Sequence, residues 1–221
     1  MASKASPVYK LYYFNYRGLA EPIRLILNHL NVPFEDIRFE YDGDDWWKNW
    51  KETMPMRCVP VLEISSDGKR LCQSIAIARY LAETYGLQPT DSWQRAKLDE
   101  LVEGGWPDLN SYTIQMIEAK SMREKQAAYE RTIDEFVKPR LKFYEAHFAS
   151  RQTRWAVCDQ VTWGDFVLYN NFFVGIKLWL NYPMTECPAI LQYCTDIEQI
   201  PSVADWLAAR SNVDWWIDKF Q

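Results

Sequence analysis

The sequence predicts a chain in two parts, an α/β N-terminal domain over residues 1–86 and an all-α C-terminal domain over residues 91–221. Three observations predict it. Short aromatic and aliphatic runs alternate with helical patterns through the first third of the chain. Strand patterns then cease, and only helical ones follow. Between the two lies Gly86 to Thr90, a stretch with Pro89 that reads as a linker. Alternating strand and helix followed by helices alone is the mark of an α/β layer joined to a helical one.

The first run, Val8 to Phe14, is aromatic and aliphatic, as a strand requires. Tyr16-Arg17-Gly18 breaks it, and a helix begins near Ala20 with Glu21 and Pro22 in its first turn. An acid and a proline are both favoured there. Ile23, Ile26, Leu27 and Leu30 recur at helical spacing until Asn31-Val32-Pro33 stops the helix. Phe34 to Phe39 is the next strand, so the start is a βαβ unit with parallel strands and a right-handed crossover. Tyr41 to Glu52 is less regular and carries Trp46, Trp47 and Trp50. Val59 to Ile64 is a strand, Ser65-Ser66-Asp67-Gly68 a turn, and Lys69 to Cys72 a short returning strand. A helix follows from Ser74.

In the second part, Pro139 sits within a helical pattern and is expected to kink it or to begin a new helix. Thr162 stands three before Asp165, ahead of an apolar stripe that opens with Phe166 and Val167. That spacing reads as a capping box with Asp in the usual Glu position.

Composition removes several classes. A net charge of −5 is unsuited to neutralising phosphates, so no nucleic-acid partner is expected. The five cysteines are odd in number and none has C-x-x-C spacing, which argues against a disulfide framework or a zinc site. No metal is expected. Met1 to Pro7 is short and polar, without the apolar core of a signal peptide, and no apolar run reaches the ~20 residues of a membrane span. A cytoplasmic protein with no membrane partner is the expectation. There is no phosphate-binding glycine loop. The two histidines, His29 and His147, lie far apart in helical contexts, where an ordinary helix residue is the simpler reading.

Local features of the first third occur in a specific order. The run Tyr13-Phe14-Asn15-Tyr16-Arg17-Gly18-Leu19-Ala20-Glu21 comes first. Trp47 and Lys51 follow, then Met54-Pro55-Met56-Arg57-Cys58-Val59-Pro60-Val61-Leu62-Glu63, and last Gln73-Ser74-Ile75-Ala76-Ile77-Ala78-Arg79-Tyr80-Leu81. This order closely resembles the glutathione-binding domain of the cytosolic glutathione transferases, most of all the sigma class. The later Val161-Thr162-Trp163-Gly164-Asp165 run is similar to the family's capping element. The resemblance implies a thioredoxin-like N-terminal domain and an all-α C-terminal domain that shapes the electrophile pocket.

It also implies roles. The tyrosine matched by Tyr13 donates a hydrogen bond to the glutathione sulfur. A free thiol titrates near ~8.5, and lowering that by two units needs roughly 2.7 kcal/mol. One hydrogen bond to a charged group contributes about 1.5–3 kcal/mol, so a single placed hydroxyl nearly suffices. An isolated tyrosine at a strand end would more simply be packing. Val59-Pro60 matches the family's cis-proline, whose preceding residue offers its backbone to the cysteinyl part of glutathione. Gln73 and Ser74 stand at a helix N-terminus, where free N–H groups and the dipole attract an anion. The resemblance makes that anion the γ-glutamyl carboxylate; the simpler reading has Ser74 as an N-cap. Trp47 and Lys51 match contacts to the glycyl end. Asp99 matches an aspartate that reaches the glutathione amine of a neighbouring subunit, so a homodimer is implied.

Three departures bear on activity. Leu19 stands where sigma members carry a second arginine, which predicts weaker activation. Met56 and Arg57 replace Phe-Gly before the cis-proline, which predicts a reshaped loop, since Arg57 cannot use glycine's φ > 0 freedom cheaply. The segment with Asp42, Asp44 and Asp45 is more acidic than usual. Phe14, Trp106, Tyr112, Trp215 and Trp216 are candidates for the electrophile pocket. The expected function is conjugation of the glutathione thiolate to apolar electrophiles. The alternatives are glutathione-dependent isomerisation of prostaglandin H2 to D2, or a non-catalytic carrier or crystallin-like role.

Overall fold

The computed structural model describes residues 7–41, 43–105, 109, 115–116 and 118–210. These fall into two compact units, residues 7–88 with 201–210, and residues 89–200.

The first unit is built on four strands, β1 (Tyr9–Phe14), β2 (Phe34–Phe39), β3 (Val61–Ile64) and β4 (Arg70–Cys72), in the order β2-β1-β3-β4. β1 and β2 are parallel, with Tyr13 opposite Arg38. The crossover is α1 (Glu21–His29), as the βαβ reading expects. β1 and β3 are antiparallel with Tyr12 opposite Val61, and β3 and β4 are antiparallel with Val61 opposite Cys72. β3 starts two residues later than the pattern predicts. Pro60 has no N–H to give a ladder, and the Val59-Pro60 peptide is cis.

A tight turn over Gly18–Ala20 leads into α1, whose Ile23, Leu25, Ile26 and Leu27 are buried. α2 (Ser74–Tyr85) packs on the same core with Ile77, Ala78, Leu81 and Ala82, and ends at Gly86 with φ 77°. There the left-handed conformation stops the helix without a Cβ penalty.

The second unit holds α3 (Ser92–Glu103), α4 (Met122–Arg131), α5 (Lys138–Ser150), α6 (Trp163–Tyr169) and α7 (Pro188–Glu198). Pro139 stands in the first turn of α5, after a wide turn over Thr132–Val137. The capping box forms. The Thr162 N–H donates to Asp165 Oδ2 at 2.7 Å, and Asp165 is fully buried. α8 (Pro201–Ala209) belongs to the first unit, where its Trp206 donates to Glu21 Oε1 at 3.0 Å.

Candidate active site

Several of the sequence-predicted residues share one end of the sheet. Tyr13 lies next to last in β1, Val59-Pro60 leads into β3, and Gln73-Ser74 follows β4. Because β3 and β4 are paired through Val61 and Cys72, and β1 and β3 through Tyr12 and Val61, all three meet at the same edge.

Tyr13 is 4% exposed. Its hydroxyl oxygen accepts a hydrogen bond from the Leu19 backbone N–H at 3.0 Å, and the Tyr16 side chain lies against it as a second partner. Burial raises the phenol above its ordinary value, against the pull of the Leu19 N–H, the Tyr16 hydroxyl and the Arg24 charge. The net shift is upward, so Tyr13 keeps its proton at neutral pH.

Gly18 makes this approach possible. It has φ 44°, and a Cβ there would fall 2.5 Å from Tyr13 Oη and 2.7 Å from the Tyr16 ring. Any other residue would displace the hydroxyl. The donor from Leu19 is a backbone group, so the departure from arginine at that position leaves the contact in place. A buried cation is nonetheless present. The Arg24 guanidinium, 1% exposed, lies 5.8 Å from the Tyr13 ring centroid. Asp36 holds it at 3.0 Å, and the Tyr16 carbonyl accepts from its Nη1 at 3.0 Å. Its Nη2 is buried with no acceptor among the described residues. The sequence pattern contains Arg24 and Gly18 but gave no reason to connect either with Tyr13.

The helix N-terminus at α2 differs from the simpler reading in one respect. Gln73, not Ser74, is the N-cap, and its side chain does not cap. Ser74 is the first helical residue, so the first-turn N–H groups are left for another acceptor. Gln73 holds φ 76°, ψ 111°, a region rarely occupied by a residue with a Cβ. Its Nε2 meets Met56 Sδ at 3.7 Å.

The loop before Pro60 keeps the backbone that glycine would favour. Met56 has φ 52° and Arg57 φ 55°. Both residues carry a Cβ into this left-handed region, and an Arg57–Glu52 ion pair accompanies the strained backbone. The Trp46–Trp50 register is also resolved. Trp46 is 3% exposed and packs on Phe14 and Phe39. Trp47 is 47% exposed, and Lys51 Nζ sits 4.5 Å from its ring. The Lys51 N–H returns to the Trp46 carbonyl, a five-residue turn that sets both side chains on one face. Tyr41 joins this face to β1 through ring contacts with Phe14 at 5.0 Å and Trp47 at 6.3 Å.

Phe14 lies within that aromatic cluster, 8% exposed. Asp99 stands half-buried on α3 of the second unit. Trp106, Tyr112, Trp215 and Trp216 lie outside the described residues. Among the described residues no group of three His, Cys, Asp or Glu side chains could hold a metal, and no helix is long and apolar enough to cross a membrane.

The arrangement, then, is a neutral phenol beside a strained helix N-terminus and a strand-entry backbone. It can hold an extended peptide and donate to a sulfur. A family model for the glutathione S-transferase N-terminal domain matches residues 9–83, and one for the C-terminal domain matches residues 107–210. The chain belongs to the glutathione S-transferase family. Glutathione is the co-substrate of that family. A glutathione S-transferase of Anopheles gambiae is 35% identical over 184 residues, covering 80% of this chain and 81% of the relative. A hematopoietic prostaglandin D synthase of Homo sapiens is 28% identical, covering 92% and 97%. A solved prostaglandin synthase D of Nilaparvata lugens superposes with a TM-score of 0.82 at 30% identity, covering 93% and 99%. The thioredoxin-like glutathione transferase fold read from the sequence is therefore the fold of this chain.

Proposed function

We propose that this chain is a sigma-class, cytoplasmic, homodimeric glutathione transferase in which Tyr13 stabilises the glutathione thiolate for attack on an apolar electrophile. The observation that carries the reading is the Tyr13 hydroxyl. Its oxygen accepts from the Leu19 N–H while burial keeps the phenol protonated. A phenol in that state donates a hydrogen bond and does not act as a base. Glutathione binds as an extended peptide over the sheet end. The Val59 backbone, next to Pro60, pairs with its cysteinyl part. The α2 N-terminus at Gln73 and Ser74 takes the γ-glutamyl carboxylate, and Trp47 with Lys51 takes the glycyl end. Asp99 reaches across the dimer to the glutathione amine of the other subunit. Residues 1–86 supply the thiol site, and residues 91–221 supply the wall against which the electrophile is oriented. No metal takes part.

The test is glutathione-dependent conjugation of chlorodinitrobenzene by the wild type and by Tyr13→Phe, with the bound thiolate followed by its ultraviolet absorbance. Loss of one hydrogen bond to the thiolate is worth about 1.5–3 kcal/mol, so a roughly 10- to 100-fold fall in kcat/KM is expected. The apparent pKa of bound glutathione should rise in parallel. An unchanged thiolate titration in Tyr13→Phe sinks the role of Tyr13. A second reading, isomerisation of prostaglandin H2 with glutathione recycled, is favoured by the names of the human and Nilaparvata lugens relatives. Incubation with prostaglandin H2 and product analysis distinguishes it.

A further inference from the structure

The charges behind Tyr13 have no part in the reading above. The buried Arg24 guanidinium on α1 faces the Tyr13 ring at 5.8 Å, within the range at which a cation acts on an aromatic face. It is the middle member of a chain of ion pairs. Arg24 Nε donates to both oxygens of Asp36, at 3.0 and 3.3 Å, and Arg38 Nη2 pairs with the same carboxylate at 2.7 Å. On the other side Arg24 Nη1 lies 3.5 Å from Glu21 Oε2, and Glu21 Oε1 meets Arg210 Nη1 at 2.5 Å. Three guanidinium groups stand against two carboxylates, so the chain carries one net positive charge. Stability alone gives little reason to keep it there. Well-packed apolar side chains often replace a buried ion pair at no loss, and Arg24 Nη2 is buried without an acceptor among the described residues.

We propose that Arg24 is a positioning residue for Tyr13: the net positive charge behind the ring strengthens the phenol as a donor to the glutathione sulfur, in place of the cation that Leu19 does not supply. This rests on the reading of Tyr13 given above. A cation against the ring face draws electron density from the phenol oxygen, and a more polarised O–H makes a stronger hydrogen bond to a thiolate. Burial pushes the Tyr13 phenol up, and the Arg24 charge acts against it, in the same sense as the Leu19 N–H. Arg38, which stands opposite Tyr13 on β2, belongs to the same chain of charges. The sign of each member then matters. Removing the Arg24 charge weakens the donor, and removing the Asp36 charge strengthens it. A role in holding the fold predicts no such opposition.

The experiment titrates the thiol of bound glutathione by the ultraviolet absorbance of its thiolate, in the whole chain and in four single variants. Arg24→Gln should raise the apparent pKa by about half a unit to one unit, which is roughly 3- to 10-fold less thiolate at a pH below it. Arg24→Lys keeps the charge and should recover most of that shift. Arg24 Nη1 also donates to the Tyr16 and Arg17 carbonyls at 3.0 and 3.3 Å, so its own variants loosen the turn before Leu19 as well. Asp36→Asn separates the two effects, since it leaves an oxygen for Arg24 Nε and removes only the charge. It should lower the apparent pKa. An unchanged or higher value in Asp36→Asn, or equal shifts in Arg24→Lys and Arg24→Gln, overturns the role of Arg24. Should Arg24→Gln fail to fold, Asp36→Asn decides alone. Added to Tyr13→Phe, Arg24→Gln should shift the titration little further, and a full second shift overturns the route through Tyr13. If Tyr13→Phe by itself leaves the titration unchanged, the reading of the site falls; if it shifts while the charge variants do not, the role of Arg24 falls alone.

Discussion

Tyr13 and Asp165 are both buried polar groups held by several hydrogen bonds, one in each unit, yet they are used in opposite ways. Asp165 spends everything on its own unit. Its two oxygens accept from the Ala156 N–H at 2.9 Å, the Thr162 N–H and hydroxyl at 2.7 Å, and the Tyr193 hydroxyl at 2.7 Å. Burial pushes its carboxyl upward and those donors pull it back. Tyr13 accepts the Leu19 N–H in the same way, but its hydroxyl, unlike a carboxylate, also carries a proton to give. A closed set of bonds holds a fold together. A buried hydroxyl that also holds a proton can give it to something that is not part of the chain.

The largest effect expected from this contrast is at Asp165. Asp165→Ala leaves the Ala156 and Thr162 N–H groups and the Tyr193 hydroxyl buried without an acceptor. Each such group costs about 1–3 kcal/mol, so a loss of at least about 3 kcal/mol is expected in urea denaturation. Activity per folded molecule should hold wherever the variant remains native. A marginal loss of stability would mean that the knot is not closed, and the contrast with Tyr13 would lapse.

Gly18→Ala comes next and acts on the other side of the comparison. The new methyl group would fall 2.5 Å from Tyr13 Oη at a residue with φ 44°. Backbone strain of this kind costs about 1–3 kcal/mol. The fold should survive in a weakened form, while kcat/KM falls to near that of Tyr13→Phe because the hydroxyl is moved. Combining both changes should add little further loss of activity, since each removes the same hydrogen bond. Fully additive losses would show that Gly18 acts elsewhere.

How far these features were legible in the sequence follows from their physical kind. The strands, the crossover helix and the Thr162–Asp165 cap were legible because they depend on periodicity and on residues three apart. Tyr13, Val59-Pro60 and Gln73-Ser74 were legible only through a resemblance, since spacing alone does not say that three strand ends meet. The role of Leu19 was hidden because it works through its N–H, which every residue but proline has. The positive φ at Met56 and Arg57 was not legible for a related reason: local preference argues against it, yet both residues hold φ above 50°. Trp46 and Trp47 could not be separated until the wide turn was seen, because a helical period of 3.6 does not apply there.

The smallest effect tests whether the contrast follows the unit or the bonding. Glu63 lies in the first unit with Tyr13 but is closed like Asp165. Arg70 Nε donates to its Oε2 at 2.6 Å, the Tyr12 hydroxyl donates to the same oxygen at 3.3 Å, and Lys10 pairs with Oε1 at 3.5 Å. Burial raises its carboxyl, but Arg70 above all, with Lys10 and Tyr12, carries it to a net value below the ordinary one. A carboxyl lowered in the folded state adds stability above its unfolded pKa of about 4.3, and that stability is lost as pH falls through the lower folded value. Glu63→Gln should therefore cost about 1 kcal/mol at pH 7 and almost nothing at pH 2–3, flattening the acid limb of the stability curve. Glutathione turnover at pH 7 should be unaffected. If Glu63→Gln instead lowers turnover while the acid limb keeps its slope, a closed centre in this unit is serving the site, and the division between closed centres and Tyr13 does not hold.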